Sequence, residues 1–222
     1  MTPAHDLEPA ARTAASAAGP AADAGPTADA RPSAVSRGLA WLYVVGGVIG
    51  FVSAFALAVE KIEKLSNPDY VPSCSLNPIV SCGSVMDSSQ AALFGFPNPL
   101  IGVAAFPVVI TAGVAALAGF RPPRWFWLGM QAGTTLALVF IHWLIAQSLY
   151  EIGALCPYCM VVWAVTIPLF WYTTLHNLRE GHLGGGRALG VALSRFHSVV
   201  VVVWYLVIVT LILLRFWDFW TS

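Results

Sequence analysis

Cys156-Pro157-Tyr158-Cys159 opens the run Met160-Val161-Val162-Trp163-Ala164-Val165-Thr166-Ile167-Pro168-Leu169-Phe170-Trp171-Tyr172-Thr173-Thr174-Leu175, with no charged residue from Pro157 to Leu175. A membrane-crossing helix needs about 20 apolar residues, and this run is long enough. Proline is favoured at the first position of a helix, where its missing N–H costs nothing. Cys156 is therefore expected as the cap residue and Cys159 in the first turn. The free N–H groups and positive dipole end of such a helix favour an anion, so they lower a thiolate's pKa. A reactive dithiol beside hydrocarbon suits electron transfer between thiols and a lipid-soluble carrier.

The rest of the composition agrees. The 222 residues are 58% hydrophobic and 10% charged, whereas about a quarter of an ordinary soluble domain is charged. Net charge is zero, so no basic footprint points to nucleic acid. Four cysteines fall into two pairs, Cys74 with Cys82 and Cys156 with Cys159, none deep within an apolar run. Thiols confined to one side of a membrane indicate that this side is oxidising.

Residues 1–36 are rich in Ala, Pro, Gly, Ser and Thr and hold no apolar run. They read as a disordered cytoplasmic tail preceding a membrane domain over 37–222. Five spans follow, near 39–59, 100–120, 125–149, 157–175 and 198–217. With the N-terminus cytoplasmic, the inside segments hold Arg12, Arg31, Arg37, Arg121, Arg124, Arg179, Arg187 and Arg195. The outside then holds only Lys61, Lys64 and Arg215. Eight against three fits the positive-inside rule and puts every cysteine on the extracytoplasmic face of the cell membrane.

The long external loop, about 60–98, opens with Glu60-Lys61-Ile62-Glu63-Lys64, read as a helix end emerging into water. Asn67-Pro68 and Val71-Pro72 break regular structure. The half-apolar stretch from Gly83 to Phe94 predicts a half-helix lying across the bundle, stopped by Gly95-Phe96-Pro97-Asn98-Pro99. Asp87 is expected to complement the dipole at its start. Residues 176–197, with Gly184-Gly185-Gly186, read as a flexible cytoplasmic linker. The last span, almost all Val, Leu and Ile, suits a lipid-facing helix, and Phe216, Trp217, Phe219 and Trp220 an interfacial belt.

A CxxC also serves zinc sites, and four cysteines are enough ligands. However, seven residues separate Cys74 from Cys82, not the spacing of a zinc knuckle, so no metal is expected. A CxxC disulfide closes too short a loop to stabilise much. Redox work remains. Disulfide exchange needs an attacking thiolate and an accessible sulfur. Cys74, on a mobile external loop, meets a soluble protein, and Cys82 relays electrons to Cys156. Cys159, one turn deeper, faces a quinone in the bundle as thiolate donor. His142 and Gln131 lie within the third span and Gln147 near its end; they are assigned to hydrogen bonds across helices. Trp163, at i+4 from Cys159, serves either as a quinone wall or as packing. Asn98, between two prolines, suits the cap of the second span.

This pattern resembles the vitamin K epoxide reductase family, in its bacterial disulfide-forming branch. The resemblance covers about 38–217. It rests on Cys74-x7-Cys82, Val85 and Ser88, Phe94-Gly95-Phe96-Pro97-Asn98-Pro99, and Cys156-Pro157-Tyr158-Cys159 opening a span. It implies an all-α membrane protein of five transmembrane helices, four of them bundled around a quinone, with an extracytoplasmic loop and half-helix. It also implies Asn98 as hydrogen-bond donor to a quinone carbonyl. Trp163, Val85, Met86 and Ser88 are then expected around a menaquinone or ubiquinone. The implied electron source is a thioredoxin-like, DsbA-like extracytoplasmic protein. Because the chain ends at Ser222, that partner is expected to be separate. Vertebrate members carry a Tyr where Trp163 stands, which counts against vitamin K epoxide as substrate.

The expected activity is that of a quinone-dependent thiol oxidase. Reduction of vitamin K or its epoxide is the alternative within enzymes. A non-catalytic membrane protein with structural disulfides is the alternative outside them. The spans show no paired broken helices or charged midplane residues, which argues against a transporter.

Overall fold

The computed structural model describes residues 35–67, 69–184 and 186–221, with the side chain of Trp220 outside this set. The tail expected over 1–36 lies almost wholly outside the described residues. Five helices are long and apolar enough to cross a membrane: α1 (Arg37–Ser66), α3 (Pro99–Leu117), α4 (Arg124–Ala146, extended to Ile152), α5 (Pro157–Arg179) and α7 (His197–Arg215). Short helices α2 (Cys82–Met86), α6 (Arg187–Arg195) and α8 (Trp217–Thr221) accompany them. The protein is an all-α, multi-pass membrane protein.

Local chemistry sets the helix limits. Ser36 caps α1, its hydroxyl accepting from the N–H of Leu39 at 3.3 Å. Pro99 and Pro157 start α3 and α5 at positions that need no N–H. The end of α4 widens into a π-helix, Gln147–Ile152, which stops at Gly153 with φ +67°. That left-handed conformation favours glycine.

Lipid gives helices no hydrophobic reason to associate, so close backbone approach and polar bonds hold the bundle. Helices α1 and α3 are the tightest pair. A Cβ built on Gly50 falls 2.3 Å from the Phe106 ring, and one on Gly113 falls 2.8 Å from the Ala40 carbonyl oxygen. Helix α5 packs on both α1 and α4, whereas α3 and α4 do not pack along each other. The four helices therefore form an open ring, with a gap on the α3–α4 side.

Helix α7 lies outside the ring and is mostly exposed to lipid. Polar bonds pin it. The Trp204 indole N–H donates to His142 Nε2 at 2.9 Å, and the Arg215 guanidinium donates to the Leu149 carbonyl at 2.7 Å. His142 Nδ1 donates to the Leu138 carbonyl of its own helix at 2.8 Å, and through Nε2 this histidine bridges α4 and α7. Gln131 also bridges helices, donating to Thr174 on α5 at 2.9 Å.

Several expectations are corrected. Helix α1 ends as expected in an exposed turn, with Glu63, Leu65 and Ser66 exposed, but the first charged residue of that end is not solvated. The helix continues to Ser66, and Glu60 is buried because the following loop folds back onto it. The half-helix is really two pieces, α2 and a 3₁₀ turn at Ser89–Ala92, broken at Asp87-Ser88. Asp87 therefore sits at the C-terminal end of α2, where it pairs with Lys64 at 2.6 Å rather than complementing a dipole. Gln147 bonds to Gln90 of that turn at 3.2 Å, not to another span. Nor is 176–197 a flexible linker. It contains α6, and Arg124 donates to the His182 carbonyl through two nitrogens, at 2.8 and 3.1 Å; Gly185 is outside the described residues. Phe216 leaves the predicted belt, being buried against Ile212, while Trp217 and Phe219 stay exposed.

Candidate active site

The site begins with a turn. The Asn77 side-chain carbonyl accepts from the N–H of Ile79 at 3.0 Å and of Val80 at 2.7 Å. This Asx-type closure turns the chain after Cys74 back toward the bundle. Val80 then forms an isolated parallel bridge with Leu155. The Leu155 N–H donates to the Ile79 carbonyl at 2.7 Å, and the Ser81 N–H donates to the Leu155 carbonyl at 2.9 Å. The next residues along each chain bring the sulfurs together. Ser81 caps α2, accepting from the Ser84 N–H at 3.2 Å, which starts that helix at Cys82.

Cys74 and Cys82 are joined by a disulfide with Cα atoms 5.5 Å apart, and Cys156 and Cys159 are free thiols. Cys82 Sγ lies 3.1 Å from Cys156 Sγ, so it stands between the outer pair and the inner pair. Cys82 carries no proton in its disulfide, so the only hydrogen available to this contact belongs to Cys156. Hydrogen bonding from the Cys159 thiol is the largest influence on Cys156 and lowers its pKa. Burial opposes that shift, and the N–H groups of Cys159 and Tyr158 add to the lowering. These donors belong to the first turn of α5, as Pro157 at its start predicts.

A chamber of about 510 Å³ lies inside the open ring. Volumes of this size suit small-molecule ligands. Its walls from α3 and α4 are apolar, including Ile101, Val109, Phe126 and Ile141, and its polar groups cluster at the cysteine end. Cys156, Cys159, Trp163, Val85, Met86, Ser88 and Asn98 all line it. A flat ring carrying an apolar tail fits this distribution. Asn98 does not cap α3 with its side chain. Instead, its amide donates to the Gln90 carbonyl at 2.7 Å and accepts from the Leu93 N–H at 3.1 Å, tying down the 3₁₀ turn. An amide nitrogen has two hydrogens, so one N–H remains for the chamber. The Trp163 indole N–H makes no hydrogen bond to another described residue, and the side chain is buried among Ile141, Ile145 and Ile167.

Cys74 differs from expectation. It is only 7% exposed, packed with Leu57, Met86 and Tyr158, and does not stand open to a large protein. The sequence reading also missed what holds it there. Glu60 accepts from the Tyr70 hydroxyl at 3.0 Å, from the Ser73 N–H at 3.3 Å and from the Ser73 hydroxyl. Lys61, which lines the chamber, donates to the Met86 carbonyl at 2.7 Å. The cue was present in sequence as charged residues directly following an apolar run.

Fold and site together define a polytopic membrane protein that sets a disulfide and a dithiol in contact beside an apolar chamber. A sequence model described as the Vitamin K epoxide reductase family matches residues 41–174, more than half of the chain. The chain belongs to that family, whose members are quinone-linked membrane oxidoreductases. No curated protein matches it.

Proposed function

We propose that the protein is a membrane thiol oxidase, which reoxidises a thioredoxin-like, DsbA-like extracytoplasmic partner and passes the electrons to a membrane quinone. The single observation that carries this reading is the 3.1 Å approach of Cys82 Sγ to Cys156 Sγ, each belonging to a different pair. Cysteines that merely staple loops have no need of such an approach. The arginines Arg37, Arg121, Arg124, Arg179, Arg187 and Arg195 fall at or between helix ends away from the cysteines, which supports placing the cysteine end outside the cell.

The relay starts from both pairs oxidised. A partner thiolate attacks Cys74 Sγ, a partner–Cys74 disulfide forms, and Cys82 leaves as thiolate. Cys82 attacks Cys156 Sγ, a Cys82–Cys156 disulfide forms, and Cys159 is released. The second partner thiol attacks its own bonded sulfur and frees Cys74, and the partner departs oxidised. Cys74 then attacks Cys82, remaking Cys74–Cys82 and freeing Cys156. This leaves the outer disulfide and inner dithiol of the present structure, with two electrons stored beside the chamber. A quinone held there would supply the acceptor for two electrons and two protons, as Cys156 and Cys159 return to their disulfide.

The chain's residues make that transfer possible by position. With Cys156 freed from Cys82, both sulfurs of the inner dithiol line the chamber, Cys159 in the first turn of α5. The spare Asn98 N–H is placed to donate to a ring oxygen, an interaction that strengthens as negative charge develops. The apolar walls keep water from the exchanging sulfurs. Purified protein with Cys159→Ala is expected to lose partner-dependent quinone reduction while still forming a mixed disulfide at Cys74. Retained turnover overturns the reading.

A further inference from the structure

Two groups of contacts from the end of α1 hold the outer disulfide from opposite sides. Lys61 and Lys64 hold the α2 side. Lys61 bonds the Met86 carbonyl at 2.7 Å, and Lys64 pairs with Asp87 at 2.6 Å. Glu60 holds the other side through Tyr70 and Ser73, and Ser73 is bonded directly to Cys74 in the chain. Glu60 is itself only 9% exposed. A buried carboxylate needs donors to replace its water, and these three donors do so. Pro72 and Cys74 are buried beneath the same fold of chain. Partner attack on Cys74 needs that sulfur uncovered; Leu57, Met86 and Tyr158 pack over it, and Glu60 ties down Ser73 beside it.

From this we infer that Glu60 is a positioning residue, a latch that holds Tyr70–Cys74 against α1. Closed, it keeps Cys74 beside Cys82 and favours the outer disulfide. Open, it lets Cys74 swing out to a partner, and Cys82 turns to Cys156. The inference rests on the relay reading, because it governs which of two exchange partners Cys82 takes. The exchange is isoelectronic. The Cys156 thiolate attacks Cys82, the Cys82–Cys156 bond forms, the Cys74–Cys82 bond breaks, and Cys74 leaves as thiolate. No oxidant is required.

The test uses the full purified chain in detergent, carrying one disulfide and equilibrated in a glutathione buffer. Acid quenching and peptide mass spectrometry then give the ratio of Cys82–Cys156 to Cys74–Cys82. Charge-assisted hydrogen bonds are the strong ones, so Glu60→Ala is expected to raise this ratio about tenfold. Glu60→Gln, which keeps one carbonyl acceptor, falls between Glu60→Ala and wild type. Ser73→Ala, which leaves the α1 end intact, is expected to shift the ratio in the same direction. A ratio unchanged in Ser73→Ala and in folded Glu60→Ala overturns the latch, even if both variants melt earlier. A wild type that forms no Cys82–Cys156 bond in any buffer overturns the relay reading instead.

Discussion

Val80 and Leu155 lie side by side in a single parallel bridge, 75 positions apart in the chain; Leu155 directly precedes Cys156, and Val80 stands two residues before Cys82. The bridge is the only backbone ladder among the described residues outside helices and turns. It decides how close Cys82 and Cys156 come, because α2 and α5 start at its two exits. An outer loop becomes an extension of the membrane bundle through two hydrogen bonds.

Breaking that ladder on one side is therefore expected to uncouple the pairs. Leu155→Pro removes the N–H that donates to Ile79 and leaves that half-buried carbonyl without its partner. The rate of Cys82–Cys156 disulfide formation, followed by rapid quench, is predicted to fall about tenfold or more. Leu155→Val keeps the N–H and is predicted to stay near wild type. Equal rates in all three proteins contradict a positioning role for the bridge.

The chamber can be filled without touching a sulfur. Gly133 lines it, and a Cβ built there meets nothing within 4 Å. Gly133→Leu is predicted to raise the KM for a soluble quinone analogue about tenfold, while reduction of the outer disulfide by dithiothreitol proceeds at the wild-type rate. Helix propensity favours leucine over glycine by roughly 0.5–1 kcal/mol, so the variant is expected to melt no lower than wild type. An unchanged KM places the quinone elsewhere.

Most of the bundle was legible from charge alone. Runs near 39–59, 100–120, 125–149, 157–175 and 198–217, uncharged but for Arg215 near the end of the last, coincide with the five long helices, because lipid penalises any charged or unpaired backbone group. Pro157 announced the start of α5, and with it the donors around Cys156. What escaped was set by contacts rather than by pattern. A one-pair bridge has no period to detect. The π-turn at Gln147–Ile152 leaves no signature in an apolar run. Glu60 read as solvated because the sequence does not show Tyr70 and Ser73 folding back to it. The stretch 83–94 breaks at Asp87-Ser88 because Lys64 and the Val85 carbonyl bond those two side chains.

The lowered pKa of Cys156 predicts a pH profile. A depressed thiol pKa carries the thiolate to lower pH than an ordinary cysteine, and it is lost as pH falls through the lowered value. Formation of Cys82–Cys156 from the outer disulfide is therefore expected to slow as pH falls, with its falling limb at lower pH than that of an ordinary thiol. Cys159→Ala removes the principal donor, so the Cys156 pKa rises toward the ordinary thiol value of about 8.5 and the falling limb moves to higher pH. A profile that stays in place shows that Cys159 does not tune its neighbour.

The central claim is that Cys82 passes its bond from Cys74 to Cys156, and one measurement addresses it directly. With Cys74→Ser and Cys159→Ser both in place, only the two cysteines whose sulfurs lie 3.1 Å apart remain. Mild oxidation of the purified protein followed by peptide mass spectrometry is predicted to find an intramolecular Cys82–Cys156 disulfide in most chains. Two free thiols, or disulfides only between chains, would contradict the account.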